Sequence, residues 1–429
     1  MDNYYTMDFG IEKAKTTTKQ AEIARSRIVI RNHKKVLRST DQLKIVMANS
    51  IASRWRDLSG ESDWKDLLHP LDLDLRRYII HYGERCGAVG DLFNDTKASR
   101  GFGHSLYPAD EFFSRAGLEI GNPFKYSVTN FFYAASDIVQ SAWFGYVAVT
   151  TDDGKAVLGR RDILVAWRGT MTDSEWINDV QFFPTSASEL FGEDNDPQVH
   201  SGFLSLYTGR SSNSPYSQTS ARDQVREAVR KLVDKYQDED ISITVTGYSL
   251  GAALATLSAM DIVASGYNKP TGNSEKSCMV TTFTYAGPRV GNEGFKKVFE
   301  GLSDLHLLRI TNSTDIVPKI PFLLGIYTHV GEELEIDTTK SDYLKSNADA
   351  HNLDVYLHGV AGVQETNGDF TLEVDHDIAL INKHLDGLKD DYKIPPEWWN
   401  NENFKNMVQM DDGHWKLVDN AYVPDPPSA

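Results

Sequence analysis

The fold is decided by residues 241–255, which read Ile-Ser-Ile-Thr-Val-Thr-Gly-Tyr-Ser-Leu-Gly-Ala-Ala-Leu-Ala. The first six of these residues form an apolar run that predicts a buried strand. The alanine- and leucine-rich run that follows predicts a helix from Ser249 to about Ala264. A buried strand that leads directly into a helix is typical of an α/β protein.

The turn between this strand and this helix carries a candidate nucleophile. Gly247 and Gly251 each lie two residues from Ser249, and small residues there let a strand and a helix approach each other closely. At the N-terminus of a helix, the backbone N–H of Leu250 could stabilise an oxyanion. The pattern predicts that Ser249 is a nucleophile; a strand-to-helix turn without chemistry is the alternative.

Further strands and helices alternate on both sides of this turn. Residues 145–150 and 162–167 are alternating runs separated by a Thr-Asp-Asp-Gly turn, which predicts a hairpin. Residues 222–236 predict an amphipathic helix, and the runs 281–285 and 306–310 predict short strands. We therefore predict an α/β fold with a mostly parallel central sheet flanked by helices.

A serine hydroxyl becomes a good nucleophile when a histidine takes its proton, and an acid must orient that histidine. Asp315 follows the predicted strand 306–310, at the end of the strand where catalytic loops lie. His351 stands in a loop immediately before a predicted helix and is the preferred base. His358, two turns into that helix and on the same face, is the alternative base.

Composition excludes several classes of protein. Among 429 residues, 44 are Lys or Arg and 61 are Asp or Glu, which gives a net charge of −17. This charge argues against binding nucleic-acid phosphates. The longest apolar runs are only a few residues, far short of the roughly 20 that span a bilayer. Two cysteines and no secretory signal pattern favour a reducing compartment, so we expect a cytoplasmic protein.

Charge also divides the chain into segments. Residues 1–50 contain ten Lys or Arg and five Asp or Glu, so this segment carries +5 and the remainder −22. We predict a basic N-terminal extension at 1–50, a catalytic domain at 51–390 and a C-terminal tail at 391–429. The basic segment could instead be a targeting peptide, which would place the protein in a plastid.

Around Ser249, Asp315 and His351 the sequence resembles the class 3 lipases, and within them the plant phospholipases A1 of the cytosolic class II type. The similarity extends from about Trp55 to Gly387. It rests on six blocks: Trp55–Gly60, Tyr78–Glu84, Val165–Thr170, Gly247–Leu257, Ala286–Asn292 and His351–Gly362. The resemblance implies an α/β-hydrolase-type fold with a short lid.

The resemblance also implies roles for individual residues. The serine, aspartate and histidine of the family's motifs match Ser249, Asp315 and His351. Thr170, which follows Arg-Gly, matches the residue that contributes a second oxyanion donor. The implied lid is the segment 171–183, in which three apolar side chains lie along one helical face: Trp176, Ile177 and Val180.

Two features depart from the family's pattern. Tyr248 precedes the candidate nucleophile, where this group usually has histidine. The segment from Ser136 to Trp143 is also shorter than in relatives, which could reshape the entrance for the acyl chain or head group. Neither difference removes a member of the Ser-Asp-His set.

Together these observations predict an enzyme that hydrolyses carboxylic esters of lipids. The resemblance implies the sn-1 acyl group of phospholipids as the main target, with acylglycerols and galactolipids as further candidates. We expect a lipid substrate, transient contact with a lipid surface through the basic segment and the lid, and no metal or other cofactor. The alternatives are an acyltransferase, a non-catalytic lipase-like signalling protein and an esterase for soluble substrates.

Overall fold

A seven-stranded sheet forms the centre of the protein. The computed structural model describes residues 50–136, 139–170, 183–273, 275–322, 325–364, 370–399 and 406–418. The sheet strands are β1 (Tyr126–Ala134), β2 (Ala142–Thr150), β3 (Arg161–Trp167), β6 (Ile241–Tyr248), β7 (Met279–Tyr285), β8 (Leu305–Asn312) and β9 (Glu332–Ile336). Three further two-stranded antiparallel sheets pair β4 (Pro184–Ser186) with β5 (Gln198–His200), β10 (Gly362–Gln364) with β11 (Phe370–Leu372), and β12 (Met407–Gln409) with β13 (Trp415–Leu417).

The sheet is mostly parallel, as predicted. Its strand order is β1-β2-β3-β6-β7-β8-β9. The pairs β1/β2 and β2/β3 are antiparallel, whereas the remaining four pairs are parallel. Because β3, β6, β7 and β8 run in the same direction, their C-terminal ends meet at one edge, where the loops that follow them can form a site.

Ten α-helices that lie wholly within the described ranges connect and cover these strands. They are α1 (Trp55–Leu58), α2 (Leu73–Asp91), α3 (Phe112–Arg115), α4 (Asp152–Leu158), α5 (Ser188–Phe191), α6 (Ser201–Thr208), α7 (Ala221–Lys235), α8 (Leu250–Ala264), α9 (Glu293–Glu300) and α10 (Leu353–Ala361). Short 3₁₀ turns occur at Val317–Lys319, Thr338–Lys340, Ile378–Asn382 and Asp390–Tyr392. None of the described helices is both long enough and apolar enough to cross a membrane.

Side chains alternate across each strand, so every strand contributes side chains to both faces of the sheet. Both faces are buried. In β3, Ile163 and Val165 pack in one apolar core together with α7 and α8. Leu164 and Ala166 pack in a second core, on the opposite face, together with α2 and α10. The runs of small and apolar residues that predicted buried strands therefore serve two cores at once.

The predicted turn between β2 and β3 is wrong, because residues Asp152–Leu158 form helix α4. The hydroxyl of Thr151 caps this helix by accepting the N–H of Gly154 at 3.2 Å. Gly159 ends the helix with a left-handed φ of 76°. The two strands still pair antiparallel, so the prediction failed for the connection and not for the pairing.

Part of the predicted C-terminal tail belongs to the packed structure. Trp398 is fully buried, and its indole N–H donates to the carbonyl of Ala379 at 2.7 Å. Its ring also packs on that of Trp415, with the ring centroids 4.8 Å apart. The domain boundaries at residues 50 and 390 remain predictions.

Candidate active site

Ser249 occupies the turn between β6 and α8, as the sequence predicted. Its backbone is strained, with φ at 56° and ψ at −124°, a conformation that residues other than glycine rarely adopt. The turn is fixed by hydrogen bonds from Ser249 N–H to the Tyr285 carbonyl at 2.9 Å and from Ala252 N–H to the Ser249 carbonyl at 3.0 Å. Such strain costs on the order of 1–3 kcal/mol and is concentrated at functional sites.

The two glycines of the turn allow its close packing. A Cβ atom on Gly251 would overlap the carbonyls of Trp167 and Arg168 at the end of β3. A Cβ atom on Gly247 would overlap the carbonyl of Gly251. Any larger residue at either position would therefore push the strand and the helix apart.

His351 links Ser249 to Asp315. The Nε2 atom of His351 lies 3.0 Å from Ser249 Oγ, and its Nδ1 atom lies 2.8 Å from Asp315 Oδ2. With the Nδ1 proton directed to the carboxylate, the lone pair of Nε2 faces the serine hydroxyl, which assigns the tautomer from geometry. This arrangement can take a proton from Ser249.

Asp315 is held rigidly in the loop after β8. It is buried, and its Oδ1 atom accepts the N–H of Val317 at 2.9 Å. Its Oδ2 atom also accepts the hydroxyl of Tyr356 at 2.6 Å. The carboxylate therefore has a fixed orientation relative to the imidazole of His351. Sequence reasoning missed Tyr356, although it lies in the His351–Gly362 block.

The alternative base, His358, lies away from Ser249. It is fully buried in α10, where its Nε2 atom lies 2.7 Å from Ser341 Oγ. Burial lowers the pKa of His358 to about 3, so the ring is neutral at physiological pH. The structure brings His351 to Ser249 and packs His358 in the interior.

The two predicted oxyanion donors belong to segments that adjoin Ser249. Leu250 is the first residue of α8, so its N–H belongs to the N-terminal turn of that helix. Thr170 follows Gly169, and a Cβ atom placed on Gly169 would lie 3.4 Å from Ser249 Cβ. The segment that carries Thr170 therefore passes directly beside the serine.

Arg168 supports this segment and was not predicted as a functional residue. Its side chain is buried, and it donates to the carbonyls of Trp143 at 2.7 Å and Gly169 at 2.9 Å. Its guanidinium also lies over the ring of Phe144, 4.0 Å from the centroid. Burial lowers the pKa of Arg168 to about 9. The only signal in the sequence was its place in the Val165–Thr170 block.

The predicted lid residues Trp176, Ile177 and Val180 lie outside the described residues. Within the described ranges, no group of three or more His, Cys, Asp or Glu side chains could hold a metal ion. The arrangement at Ser249 can act by proton transfer and covalent attack through protein side chains.

Comparison with known proteins identifies a family, two relatives and a similar solved structure. The model of the family "Lipase (class 3)" matches residues 164–325. "Phospholipase A1-IIgamma" of Arabidopsis thaliana is 49% identical over 399 residues, covering 87% of this chain and 94% of that protein. "Phospholipase A1-II 1" of Oryza sativa subsp. indica is 47% identical over 392 residues, covering 86% and 97%. Among solved structures, the LIP2 lipase of Yarrowia lipolytica is 23% identical, with a TM-score of 0.44, and covers 62% of this chain and 81% of that one.

Proposed function

Since the chain belongs to the class 3 lipases, a family of carboxylic ester hydrolases, we propose that it releases the sn-1 fatty acid from phospholipids. The observation that carries this proposal is the hydrogen-bonded series Ser249, His351 and Asp315, with distances of 3.0 and 2.8 Å. The position of the cleaved ester follows the names of the relatives, which are phospholipases A1. Acylglycerols and galactolipids are secondary candidate substrates.

In the first half of the proposed reaction, Ser249 Oγ attacks the acyl carbonyl carbon while His351 Nε2 takes the hydroxyl proton. The carbonyl oxygen becomes an oxyanion, which the N–H of Leu250 and the N–H or hydroxyl of Thr170 stabilise. His351 then gives its proton to the departing lysophospholipid oxygen as the ester bond breaks. The fatty acyl group remains on Ser249.

In the second half, water replaces the alcohol. His351 takes a proton from the water, the resulting hydroxide attacks the acyl-enzyme, and the fatty acid leaves as Ser249 regains its proton from His351. Throughout, Asp315 orients the imidazole and stabilises its charged form while the proton resides there.

We also propose contact with a lipid surface around the site. Phe183, Phe322 and Ile316 are 67%, 63% and 59% exposed, which makes them the most exposed large apolar side chains in the described ranges. Ile316 adjoins Asp315. Three backbone hydrogen bonds connect the segments that carry these residues: Ser201 N–H to Phe183 O, His200 N–H to Val290 O and Arg289 N–H to Ile320 O. We call Phe183, Ile316 and Phe322 the apolar rim. Exposed apolar side chains that lie near one another favour contact with a lipid surface.

The cytoplasm is the proposed location, because both cysteines, Cys86 and Cys278, are free and buried. Import into a plastid, directed by residues 1–50, is the alternative. A fluorescent fusion of the full chain that accumulates in plastids would favour the alternative.

Regiochemistry tests the proposed function. We expect purified protein to release mainly the sn-1 acid from vesicles of phosphatidylcholine that carries a different fatty acid at each position. Mass spectrometry of the free acids and of the lysophospholipid measures this, with Ser249→Ala as the control. Release of mainly the sn-2 acid, or equal release by the Ser249→Ala variant, contradicts the proposal.

Surface contact has its own test. Replacing both Phe183 and Phe322 with serine should lower the rate on phospholipid vesicles about 10-fold or more, because burying each side chain contributes on the order of 1–3 kcal/mol. The rate on a soluble short-chain ester should change less than about 3-fold. Ile120→Ser is the matched control, because Ile120 is 48% exposed and lies beside the β12–β13 turn. Equal losses on vesicles and on the soluble ester would show that the rim does not bind lipid.

A further inference from the structure

Tyr248 is the last residue of β6 and immediately precedes Ser249. Its hydroxyl donates to the backbone carbonyl of His351 at 2.5 Å, across 103 residues of chain. The two rings also pack, with centroids 5.2 Å apart and planes inclined by 33°. On its other side, a Cβ atom on Gly169 would lie 3.0 Å from Tyr248 Cδ1. Tyr248 thus lies between the segment that carries Thr170 and the loop that carries His351.

The loop that carries His351 depends on side chains for its position, because His351 lies outside the regular helices and strands. Two successive carbonyls of this loop are held by side-chain donors from other parts of the chain. Asn312 Nδ2 donates to the carbonyl of Ala350 at 3.0 Å, and the Tyr248 hydroxyl donates to that of His351. Asn312 is itself fixed, since its Nδ2 atom also donates to Thr338 Oγ1 at 2.8 Å.

The Tyr248 hydroxyl is a permanent donor. Burial raises the pKa of Tyr248 well above its usual value of about 10, so the phenol keeps its proton over the working pH range. Because Tyr248 and Ser249 are consecutive, its hydrogen bond connects the loop of the base directly to the turn of the nucleophile. A displacement of about 1 Å between two reacting groups can lower a rate roughly 100-fold.

We propose that Tyr248 is a positioning residue, whose hydroxyl fixes the backbone of His351 so that the imidazole stays within reach of Ser249 Oγ. This inference rests on the proposed function, since it assigns the same base. The side chain acts through His351 and does not itself touch the substrate's reacting atoms.

Tyr248→Phe tests the proposal, because it keeps the ring and removes only the hydroxyl. We expect kcat on a soluble ester to fall about 10- to 100-fold with KM changed less than about 2-fold. Tyr146→Phe is the matched control, because the buried Tyr146 hydroxyl also donates to a backbone carbonyl, that of Arg85 at 2.9 Å. Both variants should lose similar thermal stability, while Tyr146→Phe should keep its kcat within about 2-fold.

Incorporation of 4-aminophenylalanine at position 248 separates the donor from the ring. Its N–H group can donate to the His351 carbonyl, so kcat should recover to within about 5-fold of the wild-type value. Equal kcat for Tyr248→Phe and the wild type, or no recovery with the amino analogue, would overturn the proposal. Failure of the proposed function would be seen separately, as a wild-type protein without esterase activity or a Ser249→Ala variant that retains it.

Discussion

Ser249→Ala is expected to lower kcat for ester hydrolysis by about 10⁴- to 10⁶-fold. In the proposed reaction, the substitution removes the atom that forms the acyl-enzyme, so only the oxyanion donors and substrate binding can still accelerate attack by water. It should leave KM and the fold almost unchanged, because it removes one oxygen and retains the Cβ atom at the strained φ of 56°. Initial rates on a soluble ester measure the loss, and thermal unfolding verifies the fold.

The size of this loss distinguishes a nucleophile from a residue that only shapes the site. A serine that packs in a strand-to-helix turn without chemistry would change kcat less than about 10-fold when it becomes alanine. A correctly folded Ser249→Ala protein with that much activity would therefore show that another group performs the attack.

Asp315→Asn is expected to lower kcat by about 10⁴-fold while the structure of the loop is retained. The amide oxygen can still accept from Val317 N–H, so this contact survives, while the NH₂ group takes the place of Oδ2 and the Tyr356 hydroxyl loses its acceptor. The NH₂ group can donate to His351 Nδ1, which would place the imidazole proton on Nε2. In that tautomer Nε2 has no lone pair for the proton of Ser249, and the negative charge that stabilises the imidazolium is also lost.

Asp337→Asn is the matched control for this substitution. Asp337 also accepts the N–H of the residue two positions later, Thr339 at 3.1 Å, but it is exposed and lies outside the site. Its kcat should stay within about 2-fold of the wild-type value. If Asp315→Asn were equally harmless, Asp315 would be a turn-forming residue without a role in catalysis.

The strand-to-helix turn could be predicted because its determinants are local. The apolar run of β6, the two glycines and the alanine-rich helix lie within one short stretch, and the structure places each as expected. The order of serine, acid and histidine along the chain then indicated Asp315 and His351, which the structure brings to Ser249. Local pattern and chain order indicated Ser249 and Asp315, whereas for the base they left His358 open beside His351.

Helix α4 shows where prediction from neighbouring residues failed, because the sequence predicted a turn there. Its neighbours in sequence indicate that Gly154 is a turn residue, but its lack of a side chain serves a distant contact, since a Cβ atom there would overlap the carbonyl of Lys125. The helix follows instead from its two ends, the Thr151 cap and the left-handed Gly159. A glycine required by tertiary packing cannot be distinguished from a turn glycine by its neighbours in sequence.

A buried polar cluster at the opposite end of the sheet was not foreseen either. Asp162 is fully buried beside Arg160, with the carboxylate 3.5 Å from the guanidinium. Four hydroxyls donate to this carboxylate, those of Tyr82, Tyr126, Ser242 and Thr244. They come from parts of the chain up to 82 residues away, so only the fold reveals that they satisfy one buried charge.

Covalent labelling tests the central claim, that His351 activates Ser249 as a nucleophile, most directly. An alkyl fluorophosphonate reacts with an activated serine, whose oxygen bonds to phosphorus as fluoride leaves. We expect one phosphonyl group per chain, located on Ser249 by peptide mass spectrometry, and no label in the Ser249→Ala or His351→Ala variants. An adduct on another residue, or active protein that remains unlabelled, would contradict the account.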